Sequence, residues 1–116
     1  PGEPSVYHQL KRELTPLHVV RTTSPLDHES RWIEVYPAQV GKSFAAERLR
    51  TTLGVAMDQV FAVGNDFNDE DLLAWAPRAF VVANAHPELR ERFCVVSSNQ
   101  AGGVSEVAQK LLATLR

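Results

Sequence analysis

Apolar residues change their spacing about a third of the way along the chain. In residues 5–14 they recur every three to four positions, as in an amphipathic helix, and Pro16 ends that pattern. Residues 17–23 and 31–37 are instead rich in β-branched and aromatic side chains. Polar turn residues separate these two segments, which predicts an antiparallel pair of strands after the helix.

After Pro37, predicted helices and strands alternate. Residues 41–55 form a helical pattern with Gly54 at the position of a C-terminal cap. Its expected apolar face consists of Phe44, Ala45, Leu49, Thr52 and Leu53. The following elements are a strand at 59–64, a helix at 68–76, a strand at 79–83, a short helix at 86–92, a strand at 93–97 and a helix from about 103 to 115. The strands lack a period of two, which favours an α/β fold with a parallel sheet covered on both faces.

Composition narrows the class of protein. A chain of 116 residues, 44% hydrophobic and 22% charged, can form one modest globular unit. A net charge of −2 with scattered basic residues argues against a nucleic-acid partner. No apolar stretch approaches the roughly 20 residues that cross a bilayer, so no membrane partner is expected. One cysteine cannot form an internal disulfide, so a cytoplasmic location is expected. The single cysteine, Cys94, lies in an apolar strand and is expected to be a small core residue.

The segment VFAVGNDFNDEDLL, residues 60–73, carries the strongest candidate chemistry. Asn65, Asp66, Asn68 and Asp69 place several side-chain oxygens in the loop after a predicted strand, where ligands bind in open parallel sheets. Hard oxygen ligands suit Mg²⁺. The alternative is that these residues only cap the next helix, although capping would require one of them rather than four.

Lys42 follows Gly41 at the predicted start of a helix. The helix dipole disfavours a cation at this end unless an anion is bound, whereas an ammonium group beside free backbone N–H groups can bind phosphate. Taken alone, Lys42 is more simply interpreted as an exposed lysine.

Four segments, in order, resemble motifs of one family. They are IEVYPAQVGKSFAAERLRTTLGV, VFAVGNDFNDEDLL, VVANAHPELRE and SSNQAGGVSEVAQKL. Together they resemble the haloacid dehalogenase superfamily of phosphohydrolases, in the branch with a large inserted α/β cap. The resemblance covers about residues 32–112. It implies that residues 1–36 are the C-terminal piece of the cap and that residues 37–116 are the later half of a Rossmann-like parallel sheet core.

The resemblance also implies roles for the candidate residues. Lys42 matches a lysine that neutralises the transferring phosphoryl group, and Asp69 matches a carboxylate that orients the site, so both are catalytic candidates. Asn68 matches a residue that contacts phosphate. Asn65 stands where such enzymes usually have an Mg²⁺-binding aspartate. The metal ligand is therefore expected to be Asn65 or the adjacent Asp66.

Asn84 matches an asparagine in a loop near the family's site, although a role in capping the helix at Pro87 is equally open. His86 is expected to be a loop residue rather than a proton carrier. The family's nucleophile lies in an Asp-x-Asp-x-Thr stretch after its first strand, and no apolar strand of this chain is followed by Asp-x-Asp.

The resulting hypothesis is a Mg²⁺-dependent phosphatase for a small phosphorylated metabolite, of which this chain is a C-terminal fragment that is inactive alone. The strand at residues 60–64 would then have an unpaired edge through which the fragment could self-associate. A phosphomutase of the same superfamily is a second enzymatic possibility. A non-catalytic α/β interaction module is the alternative from another class.

Overall fold

The computed structural model describes residues 3–98 and 101–114. In chain order, its helices and strands are α1 (Glu3–Glu13), β1 (His18–Thr23), β2 (Arg31–Tyr36), α2 (Lys42–Leu53), β3 (Phe61–Gly64), α3 (Glu70–Trp75), β4 (Arg78–Val82), α4 (Pro87–Arg92), β5 (Cys94–Val96) and α5 (Gly103–Thr114). Short 3₁₀ turns at Met57–Gln59 and Phe67–Asp69 precede β3 and α3. Within the described ranges, no helix is both long and apolar enough to cross a membrane.

The first sheet is an antiparallel hairpin of β1 and β2. Its register pairs His18 with Tyr36 and Val20 with Glu34. Because side chains alternate between the two faces of a strand, these four residues share one face of the hairpin. Arg21 belongs to the opposite face. The predicted antiparallel pair is therefore present. Its two faces differ, because one carries Glu34 and the other carries Arg21.

The second sheet is parallel, with strand order β3-β4-β5. Helices α3 and α5 both contact β3 and β4, so the buried apolar side chains of strands and helices form one core. That core contains Ala62, Phe67, Leu73, Ala76, Val81, Val82, Ala85, Leu89, Val96 and Val107. The predicted α/β class is confirmed. In the described part of the chain β3 pairs only with β4, which leaves its other edge unpaired.

The prediction that Cys94 is a core residue was wrong. Cys94 is exposed rather than part of the core, because β5 is an edge strand whose only buried residue is Val96. Helix α2 has no buried residue, and Leu49 and Leu53 are 59% and 66% exposed. The spacing of its apolar residues is helical, and these residues stay exposed although α2 packs on α3.

Candidate functional site

The loop after β3 is held in shape by its own acidic side chains. Asp66 caps the 3₁₀ turn by accepting a hydrogen bond of 2.7 Å from the backbone N–H of Phe67. Asp69 folds back and accepts one of 2.9 Å from the backbone N–H of Asn65. This return is possible because residue 64 is glycine, since a Cβ there would lie only 2.7 Å from the Asp69 Cβ. The capping interpretation is therefore correct for Asp66 and Asp69, which form a capping box at the 3₁₀ turn, but it accounts for only part of the loop.

Lys42 and Asp69 meet at the carboxyl end of β3. The Lys42 ammonium donates a hydrogen bond to Asp69 Oδ1, joining residues 27 positions apart in the sequence. The Asp69 side chain is only 10% exposed, whereas that of Lys42 is 48% exposed. An ammonium group thus faces solvent beside a buried carboxylate that fixes its position.

Two contacts hold the start of α2 in place, one to α3 and one to the hairpin. The backbone N–H and the hydroxyl of Ser43 both donate to Asp71 Oδ2, at 3.1 and 2.9 Å. Gly41 lies against His18, where a Cβ would approach the imidazole ring to 2.4 Å. The first turn of α2 is therefore fixed both to α3 and to the hairpin.

Lys42 and Asn68 line a common cavity of about 400 Å³. The remaining walls come from the start of α2, from Asp71 and from one face of the hairpin. A cation and an amide on a cavity at the end of a parallel strand are suited to an anionic ligand, because both can contribute N–H donors.

Asp66 and Asn65 differ in what their side chains contact. Both carboxylate oxygens of Asp66 accept hydrogen bonds from β1, at 2.9 Å from the Thr23 N–H, 2.8 Å from the Thr23 hydroxyl and 3.3 Å from the Thr22 hydroxyl. Burial raises the pKa of Asp66, but these hydrogen bonds and that of Phe67 outweigh it, so its pKa lies below 3.8. The Asn65 side chain is exposed and makes no hydrogen bond to the described residues.

The side chains at this loop offer oxygen ligands of the kind that Mg²⁺ prefers. Among residues 3–98 and 101–114, however, no three His, Cys, Asp or Glu side chains are grouped so that they could hold a metal ion by themselves. Asp66 is bound to the hairpin and Asp69 to Lys42. The oxygen atoms of this loop fit Mg²⁺ in chemical type, and among Asn65, Asp66 and Asp69 only the Asn65 side chain is free of hydrogen bonds to the described residues.

Comparison with known proteins identifies the family. The model of the haloacid dehalogenase-like hydrolases matches residues 3–107. The chain belongs to this family.

Its curated relatives are phosphatases. The phosphoglycolate phosphatase of Methanothermobacter thermautotrophicus is 35% identical over 81 residues, covering 69% of this chain and 37% of the relative. The 5-amino-6-(5-phospho-D-ribitylamino)uracil phosphatase of Bacillus subtilis is 31% identical over 106 residues, covering 90% of this chain and 36% of the relative. The chain therefore spans little more than a third of the length of these relatives.

Solved structures agree on the fold. The sucrose-phosphatase of Synechocystis sp. PCC6803, solved with sucrose and phosphate, matches with a TM-score of 0.70 over 93% of this chain and 45% of the other, at 22% identity. A haloacid dehalogenase-like hydrolase from B. subtilis matches with a TM-score of 0.67 over 88% of this chain and 35% of the other, at 23% identity. At these identities the likeness supports the fold only.

The loop after β4 differs in detail from the sequence interpretation. His86 occupies the N-cap of α4, and its Nδ1 accepts a hydrogen bond of 3.1 Å from the Glu88 N–H. The capping role considered for Asn84 thus belongs to His86. The possible contact of Asn84 with the site stays a prediction.

Sequence reasoning missed a buried charge network beside the site. Arg21, with a side chain 5% exposed, donates to Glu70 at 2.8 Å and also to Glu88 at 2.5 Å. Its guanidinium lies 4.1 Å from the ring centre of Phe67 and 4.6 Å from that of Tyr7. The only signal in the sequence was an arginine within the β-branched run of β1.

The pH dependence of stability is expected to reflect Glu70. Burial raises the pKa of Glu70, but hydrogen bonds and charge from Arg21 and Arg92 outweigh it, so its pKa in the folded protein lies below 4.5. The stabilisation is therefore complete above pH 4.5 and is lost as the pH falls through that lower pKa. Urea unfolding between pH 6 and 2 is expected to show a steep fall in the free energy of unfolding as the pH is lowered. Glu70→Gln is expected to make that fall shallower.

Glu91→Gln is the matched control, since Glu91 is exposed on α4 and forms no ion pair within the described ranges. If the free energy of unfolding falls equally with pH in the Glu70→Gln variant and in the unsubstituted protein, a role for this carboxylate is contradicted.

Proposed function

We propose that the protein is a Mg²⁺-dependent phosphoric monoester hydrolase acting on a small phosphorylated metabolite in the cytoplasm. The observation that carries this proposal is the contact of the Lys42 ammonium with the buried Asp69 carboxylate, beside Asn68 on a cavity at the end of β3. Family membership and the phosphatase relatives support the same reaction class.

In this proposal Lys42 and Asn68 bind the phosphoryl oxygens. Lys42 offsets the negative charge of the group in transfer, which is the main requirement of phosphoryl transfer. Asp69 holds the ammonium in place and, through the Asn65 backbone, fixes the loop. The phosphoryl acceptor would be an aspartate outside these 116 residues, whose carboxylate displaces the substrate's alcohol as the ester P–O bond breaks. Water would then hydrolyse the aspartyl-phosphate to inorganic phosphate and the free aspartate.

Asn65 is the proposed metal ligand of this chain, through its amide oxygen. When bound, Mg²⁺ would neutralise charge on the phosphoryl group. Asp66 has a different task in this proposal, because its carboxylate joins the loop to Thr22 and Thr23 of the hairpin. Residues 1–36 would accordingly belong to a cap that covers a core formed in part by residues 37–116.

The proposal is tested with the protein expressed from its complete reading frame. Hydrolysis of p-nitrophenyl phosphate is measured with Mg²⁺ and after removal of metal by a chelator. Activity that requires Mg²⁺ is the expected result. Equal rates in the chelator, or no hydrolysis under either condition, would refute it.

Asn65→Asp is expected to raise the affinity of the complete protein for Mg²⁺ by about tenfold, because a carboxylate replaces a neutral amide in the metal's coordination sphere. Isothermal titration calorimetry measures this without relying on activity. Asp66→Asn is the discriminating variant, and it should change the Mg²⁺ affinity by less than about twofold while weakening the attachment of the hairpin. Loss of Mg²⁺ binding in folded Asp66→Asn would assign the metal to Asp66 instead.

The alternative, a non-catalytic interaction module, is favoured by one observation. The unpaired edge of β3 lies beside an apolar surface lined by Leu49, Leu53 and Trp75. Unprotected strand edges recruit other strands, so the 116 residues alone are expected to associate at tens of micromolar. Sedimentation velocity measures this, with the double variant Leu49→Lys/Leu53→Lys expected to associate less. A stable, folded monomer of the unsubstituted chain would count against this surface.

A further inference from the structure

The cavity above Lys42 has two chemically different walls. Lys42 supplies a cation to the cavity lining, and another part of the lining is the hairpin face that carries His18, Val20, Glu34 and Tyr36. The antiparallel register pairs His18 with Tyr36 and Val20 with Glu34, so these side chains stand side by side on the cavity. A phosphate ester held at Lys42 would therefore place its alcohol portion against this hairpin face.

Glu34 is the acidic group on that wall. Its Oε2 accepts a hydrogen bond of 2.9 Å from the Tyr36 hydroxyl. Within residues 3–98 and 101–114, no lysine, arginine or histidine forms an ion pair with it. The hydrogen bond to Glu34 raises the pKa of Tyr36, and the protonated phenol directs its donor to Glu34. The Glu34 carboxylate thus has acceptor capacity left for a ligand on the cavity.

We propose that Glu34 selects the leaving group of the substrate, favouring phosphate esters of hydroxyl-bearing alcohols and rejecting esters whose alcohol portion carries a second negative charge. This inference rests on the proposed function, since it takes the phosphoryl group to lie at Lys42. A carboxylate accepts hydrogen bonds from hydroxyl groups. It repels another carboxylate in a confined space, where water screens charge incompletely.

Val20 and Tyr36 complete the selection. The side chain of Val20 offers no polar atom, so at this cross-strand pair the hydroxyl groups of the leaving group find their acceptor in Glu34. Tyr36 fixes the orientation of the carboxylate through its hydrogen bond. The negative charge, rather than the phenol, is the element that discriminates between substrates.

The test compares two esters of similar size with the complete protein and Mg²⁺. These are sn-glycerol 3-phosphate, which has two hydroxyl groups, and phosphoglycolate, which has a carboxylate. The unsubstituted protein is expected to show a kcat/KM at least about tenfold higher for the glycerol ester. Glu34→Gln should reduce that ratio at least about fivefold, because the repulsion of phosphoglycolate is removed. The ratio of the two kcat/KM values can be interpreted even if Glu34→Gln lowers both of them.

Two further variants separate charge from other effects. Tyr36→Phe keeps the carboxylate and should preserve most of the preference. Glu29→Gln removes an exposed carboxylate outside this cavity and should leave the ratio unchanged. A preference for phosphoglycolate in the unsubstituted protein, or an unchanged ratio in Glu34→Gln, would overturn the inference. Failure to hydrolyse p-nitrophenyl phosphate would instead refute the proposed function.

Discussion

Replacing Lys42 with methionine in the complete protein is expected to lower kcat/KM for p-nitrophenyl phosphate by about 10²- to 10³-fold. Methionine has a similar length but no charge, so the variant removes the ammonium that Asp69 positions beside the cavity. The loss should appear mainly in kcat, because charge on the phosphoryl group is redistributed in the transition state.

Lys110→Met is the matched control, since Lys110 is exposed on α5, away from the residues that line the cavity. Circular dichroism and thermal unfolding establish that both variants are folded. This check matters for Lys42→Met, which leaves the Asp69 carboxylate, 10% exposed, without its cation. A folded Lys42→Met variant retaining more than a fifth of the original kcat/KM would contradict a catalytic role for the ammonium.

The elements of the fold could be predicted because each has a local cause. Pro16 ends the first helical pattern, Gly54 adopts the left-handed conformation at the end of α2, and short apolar runs form the parallel strands. The exposure of Cys94 could not be predicted, because it depends on the edge position of β5. Strand order is a property of the whole sheet, and the apolar neighbours of Cys94 in the sequence carry no information about it.

The candidate site, like the fold, could be predicted from the sequence only in part. The resemblance to the family's motifs selected Lys42 and Asp69, but their contact depends on how α2 packs against the loop after β3. The same motif left Asn65 and Asp66 as equal candidates for the metal. The structure distinguishes their side chains, because Asp66 is bound by Thr23, a residue 43 positions earlier in the chain. Hydrogen-bond partners so far apart in the chain produce no periodic pattern in the sequence from which their contact could be predicted.

Arg21→Met is expected to lower the free energy of unfolding by about 3 kcal/mol, the usual loss when one partner of a buried ion pair is removed. The guanidinium is 5% exposed and contacts two carboxylates, of which Glu70 is 15% exposed. Methionine can fill much of the space between the rings of Tyr7 and Phe67, so the variant tests charge and hydrogen bonding more than volume.

Urea unfolding at pH 7 measures the effect, with Arg48→Met as control because Arg48 is exposed on α2 and forms no ion pair in the described part of the chain. Arg21→Lys keeps the charge but cannot form both contacts in one plane, so it should recover only part of the loss.

Combining Arg21→Met with Glu70→Gln should lower the free energy of unfolding by less than the sum of the two single losses, since neither substitution then leaves a buried partner unpaired. Additive losses would mean that Arg92, which also donates to Glu70, satisfies this carboxylate without Arg21. The hairpin would then be held to the loop after β3 mainly by Asp66 and its two threonines.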